Sequence, residues 1–284
     1  MKKKRNYLYA ALVFIALMGL MNGLGIFWSV AAMLEGALIG GEQGTEAVYL
    51  FLEEHMNFYS IMIYLPVLLL FSIWFYFAII YREGVGTYWK ENTKRLSGAC
   101  FGWTILLTVA MQHATSLVFV FFQLVSPETL QEYNSMVEGA GITQYSFLWA
   151  VSTLLLPPLT EEIIFRGLIM RYLRRAGACF VLANLLQAVL FGIFHQNLIQ
   201  GVYAALLGFL LGYLAWRYDS LLVPIFMHFL YNLFGTVVVD LENTFLPEWT
   251  TGILMILSVP LLAVTVIMIH FGIGERKKRR EKNR

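Results

Sequence analysis

The chain reads as an all-α, polytopic membrane protein of about eight transmembrane helices. Three observations predict this. It is 59% hydrophobic and 13% charged, where soluble domains carry about 25% charged residues. Apolar runs of about 20 residues, the length that crosses a bilayer, recur along the whole chain. The basic residues gather at the two ends and in short loops, which is a membrane-orientation pattern and not a nucleic-acid-binding patch.

The first element follows Met1-Lys2-Lys3-Lys4-Arg5 and is apolar from Tyr7 to about Val30. That run exceeds a signal-peptide core and lacks a small-residue cleavage site, so it predicts an uncleaved helix. The remaining candidate spans are 58–81, 99–125, 145–170, 178–196, 200–216, 220–239 and 251–272. Loops 31–57, 126–144 and 240–250 contain Glu and Asp but no Lys or Arg, and the two longer ones have room for short interfacial helices. Arg82, Lys90, Lys94, Arg95, Arg171, Arg174, Arg175 and the tail from Arg276 to Arg284 are the basic segments. With eight spans they all fall on one side and put both termini in the cytoplasm; seven would break the alternation. Cys100 and Cys179 are too few for a disulfide framework and read as reduced apolar filler.

Three regions follow. Residues 1–144 hold helices 1–3 and the external acidic loops, 145–240 hold helices 4–7, and 241–284 hold helix 8 and a basic tail suited to a lipid surface. Among the first three spans only Gln112-His113 breaks the apolar pattern, and His113 reads as a hydrogen-bonded core residue. Ionisable and polar residues at membrane depth concentrate after residue 145.

Glu161-Glu162-Ile163-Ile164-Phe165-Arg166 follows an apolar run and Pro157-Pro158. Each charge deep in a membrane helix costs about 2.5–3.5 kcal/mol on insertion scales, so the three need compensation. Residues four apart share a helix face, so Glu162 and Arg166 are predicted to neutralise one another and leave Glu161 for another task. The prolines should bend the span just above these carboxylates. Further on come Asn184 and Gln187, His195 closing Phe191-Gly192-Ile193-Phe194-His195, and His228 with Asn232, again four apart. A 1.5 Å rise puts Glu161, His195 and His228 roughly 21, 25 and 14 Å from the cytoplasmic side, a spread that helix tilt can absorb.

A carboxylate beside imidazoles in a water-accessible site can activate water. A second imidazole and an amide can hold a developing oxyanion. Glu with two His is also a zinc-ligand set, but there is no His-Glu-x-x-His helix, and the metal-free chemistry fits the residues equally well.

Three motifs in order carry a resemblance. They are Glu-Glu-x-x-x-Arg (Glu161, Glu162, Arg166), Phe-x-x-x-His (Phe191, His195) and His-x-x-x-Asn (His228, Asn232), each in an apolar span. Together with the stretch from Gly208 to Ile225, they resemble the CPBP (Abi) intramembrane proteases, relatives of the type II CAAX prenyl endopeptidases. The resemblance implies a helix bundle around an intramembrane cavity, with 145–240 as its catalytic core. Glu161 and His195 would activate water, His228 and Asn232 would stabilise the oxyanion, and Glu162 and Arg166 would support them. A divalent metal such as zinc on Glu161, His195 and His228 is a further implication; no nucleotide or organic cofactor is expected. The partners implied are a peptide or membrane-protein substrate and membrane lipid, with no nucleic acid. Two other readings stay open: a non-catalytic bacteriocin-immunity or scaffold protein on the same fold, and a proton-coupled transporter, for which no inverted repeat is visible.

Overall fold

The computed structural model describes residues 2–139 and 145–282 of the chain, and among them every regular element is helical. We label them α1 (Lys2–Glu54), α2 (Met56–Glu83), α3 (Val85–Thr93), α4 (Gly98–Val125), α5 (Pro127–Gly139), α6 (Phe147–Ala176), α7 (Phe180–Phe194), α8 (Leu198–Tyr218), α9 (Leu222–Phe245) and α10 (Glu248–Lys282). The side chains of the basic tail from residue 273 on, and residues 140–144 at the end of the second acidic loop, lie outside the described residues.

Seven of these helices are long and apolar enough to cross a bilayer: α1, α2, α4, α6, α8, α9 and α10. The chain is a multi-pass membrane protein. The fifth predicted span, 178–196, differs from expectation, because α7 has only 15 residues. At 1.5 Å per residue it is about 22 Å long, short of the roughly 30 Å hydrocarbon core. Its apolar run hides a turn at His195–Asn197, where α7 stops and α8 begins.

The acidic loops are largely helical. α1 continues beyond its membrane-length stretch Lys3–Leu38, turning at Gly41 (φ 58°, ψ −136°) before ending at Glu54. Glycine reaches that backbone conformation because it has no Cβ to clash. The second acidic loop forms α5, which follows a turn at Ser126. Side chains start three of the spans: Ser97 accepts from the Cys100 amide, Ser146 from that of Trp149, and Asn197 from that of Gln200. Each satisfies an amide that the first helical turn leaves without a carbonyl.

Contacts divide the chain into two compact units, Met1–Ile79 with Gln131–Ala183, and Ile80–Leu130 with Asn184–Arg284. In the first, α6 packs on α1 and α2 around Leu17, Phe71, Ile164, Phe165 and Leu168. Four hydrogen bonds stitch α2 to α6. Ser152 donates to Asn57 (2.8 Å), Tyr64 to Glu161 (2.9 Å), Trp74 to the Tyr172 hydroxyl (3.1 Å) and Arg175 to the Ala78 carbonyl (3.2 Å). The partners are 95, 97, 98 and 97 residues apart. A nearly constant separation means that the two helices run parallel.

In the second unit α4 packs against α8, α9 and α10, with Leu107, Phe191, Ile199, Leu211 and Met227 buried. Thr115 of α4 bonds the Tyr231 hydroxyl of α9 at 2.8 Å, and Phe101 meets Phe226 edge to face.

Candidate active site

The acidic motif sits where α6 changes its winding. Ala150–Leu155 forms a wide π turn, Leu156–Glu162 a regular α segment, and Ile163–Ile169 a second π stretch. Pro157 and Pro158 open the α segment. They have no N–H to bond back into the preceding turn, so the expected disturbance of the span coincides with this change of winding.

Glu161, Glu162 and Arg166 are all buried. Arg166 Nη1 donates to Glu162 Oε1 at 2.7 Å, and both side chains are wholly enclosed. The spacing argument therefore holds at this pair: the carboxylate one turn earlier neutralises the guanidinium within one helix. The guanidinium also lies 6.0 Å from the Phe165 ring centroid. Glu161 faces a different neighbour, the Tyr64 hydroxyl of α2, which donates to its Oε1 at 2.9 Å.

The histidine motifs belong to the other unit. At the end of α7 the His195 amide bonds back to Gly192 (3.2 Å) and that of Gln196 to Ile193 (3.1 Å). Gln196 takes a left-handed conformation (φ 54°), and Asn197 then caps α8. This tight turn presents His195, which is half-buried. Its Nδ1 lies 2.8 Å from the Phe191 carbonyl. A carbonyl oxygen only accepts, so Nδ1 carries the proton, and Nε2 is the basic nitrogen of the neutral ring.

Phe191 has a second task. Its ring meets the His195 imidazole edge-on at 4.8 Å and the buried His228 imidazole edge-on at 5.8 Å. One phenylalanine thus orients both histidines. Asn232 lies one turn beyond His228 on α9 and is half-buried. Asn184 and Gln187 serve packing: Asn184 donates to the Phe209 carbonyl (3.0 Å), and Gln187 to Asn184 (2.8 Å) and the Gly208 carbonyl (2.9 Å). They tie α7 to α8 behind the histidine turn.

Residues 143–234 match the family described as "Type II CAAX prenyl endopeptidase Rce1-like". All three motifs fall inside that stretch. Through this segment the chain is similar to the Rce1-like family. A Bacillus subtilis (strain 168) protein, YdiL, whose name assigns it provisionally as a membrane peptidase, is 34% identical over 103 residues. The alignment covers 36% of this chain and 41% of YdiL, so the chain spans about two fifths of the curated relative that it matches. No solved structure matches.

Outside the Rce1-like segment lie two polar partners that the sequence did not flag. Tyr64 is one, and nothing marks it within an apolar span of a chain that is 15% aromatic. Glu242 is the other: His113 is buried as expected, with its Nε2 3.7 Å from Glu242 Oε1. Glu242 had been counted with an external acidic loop, but α9 continues through it. Among the described residues no three His, Cys, Asp or Glu side chains are grouped as a metal site requires.

Proposed function

We propose that the chain is an intramembrane endopeptidase that hydrolyses a peptide bond in a peptide or membrane-protein substrate, with its N-terminus and the basic ends of α2 and α6 on the cytoplasmic side. Glu161 and His195 activate the water, one of them accepting its proton as the oxygen attacks the scissile carbonyl. His228 and Asn232 donate hydrogen bonds to the oxyanion that forms. The accepted proton then passes to the leaving amine as the carbon–nitrogen bond breaks. Glu162 and Arg166 brace Glu161 from the next positions of the same helix.

The observation that carries this reading is the presence of all three motifs, in order, inside the Rce1-like segment. The tautomer of His195 supports it, because a base needs its lone pair on the nitrogen that the backbone does not hold. So does the ion pair within α6, where Glu162 holds Arg166 one turn on. The family's name makes a prenylated CAAX peptide the first substrate to try.

The test uses the full chain purified in detergent, an internally quenched peptide library and a farnesylated CAAX peptide. Cleavage by wild type should fall about 10²–10⁴-fold in Glu161→Ala and in His195→Ala, the range of a lost acid–base group. Cleavage that persists in both variants overturns the assignment. Metal analysis and chelation of the same preparation decide whether an ion takes part.

A further inference from the structure

We infer that Tyr64, outside the Rce1-like segment, is the positioning residue for Glu161: its hydroxyl fixes the carboxylate in the orientation that proton transfer requires. The inference rests on the peptidase reading and extends it to a helix that carries no motif. A glutamate's last torsion turns broadly when nothing holds it. Here the Tyr64 hydroxyl donates to Oε1 at 2.9 Å, which anchors one oxygen and sets the plane of the carboxylate.

The anchor is itself placed by the α2–α6 ladder. The Asn57–Ser152 bond lies on one side of it, and the Trp74–Tyr172 and Ala78–Arg175 bonds lie on the other. These rungs share the work of holding α2 level with α6, so the loss of one leaves the tyrosine and the glutamate at one depth. Of the four, only the Tyr64 rung ends on a motif residue. The other three join the helices without touching the acidic motif.

Tyr64→Phe removes the hydroxyl and keeps the ring, and Trp74→Phe breaks a neighbouring rung as a control for helix pairing. Infrared spectroscopy of the substrate-free protein reads the contact directly. The Glu161 carboxyl or carboxylate stretch, assigned by its loss in Glu161→Gln, should shift in Tyr64→Phe and stay in place in Trp74→Phe. On the cleaved peptide, Tyr64→Phe should lower kcat by roughly 10- to 100-fold with KM unchanged, the effect of a slightly misplaced catalytic group, while Trp74→Phe leaves kcat unchanged. An unmoved band, or equal losses of kcat in both variants, overturns the inference. A shifted band in a protein that cleaves no peptide upholds the contact and overturns the peptidase reading instead.

Discussion

Arg166 and the two glutamates before it show how a buried charge constrains what may replace it. Both members of the Glu162–Arg166 pair are enclosed, so removing one leaves the other charged and without its counter-ion. Breaking a buried pair in this way destabilises by about 3–5 kcal/mol, whereas replacing both members with uncharged residues of similar size is often close to neutral. Arg166→Met should therefore lower the thermal unfolding midpoint in detergent sharply, and Glu162→Gln with Arg166→Met should recover most of the loss. Failure of the double variant to recover would show that the pair does more than neutralise. At this scale the sequence was informative where partners lie one helical turn apart, as in Glu162–Arg166 and Phe191–His195. It was silent on Tyr64, whose partner lies 97 residues away. A contact between helices leaves no period in either.

Among the elements, α7 and α8 approach closely, and glycine makes it possible. A Cβ on Gly212 would stand 1.9 Å from Asn184 Oδ1 and 2.6 Å from Gln187 Nε2. A Cβ on Gly192 would stand 2.4 Å from the Gly201 carbonyl oxygen. Small residues at such crossings let membrane helices approach and exchange hydrogen bonds. Gly212→Ala should therefore destabilise by about 1–3 kcal/mol, the usual effect of overpacking, read as a lower unfolding midpoint. The same change on an Asn184→Ala background should cost less, because the obstructing amide is gone. Equal losses on both backgrounds would place the strain elsewhere. Hydropathy found the helices but not this turn: 178–196 looks like a full span, and only the cap at Asn197 hints that α7 ends early. The first acidic loop is helical, as its room for interfacial helices allowed, with an interruption at Gly41.

Across the whole molecule, the composition was enough for the class, and the motif order was enough for the family segment. That two of the crossings share a direction rests on more than charge counting, because α2 and α6 run parallel. α3 and α5 are 9 and 13 residues long, too short to cross a bilayer, which leaves α4 as the one return between them. The basic stretch 82–97 begins in the last turn of α2 and 171–175 lies in the last turns of α6, so the two are on one side, which in the proposed orientation is the cytoplasmic one. Single cysteines in a background lacking Cys100 and Cys179 test this with a membrane-impermeant maleimide. Thr93→Cys, at an exposed position, should label only in inverted vesicles, and Glu132→Cys, also exposed, only in intact cells. The reverse pattern would overturn the proposed orientation.

The ladder between α2 and α6 also works as a length gauge. Each residue advances a helix by about 100°, so one residue inserted between Ser152 and Glu161 would swing the glutamate off the Tyr64 side of α6 without changing a single motif letter. Relatives of this chain can thus keep every motif and still lose the Tyr64–Glu161 contact through a single insertion.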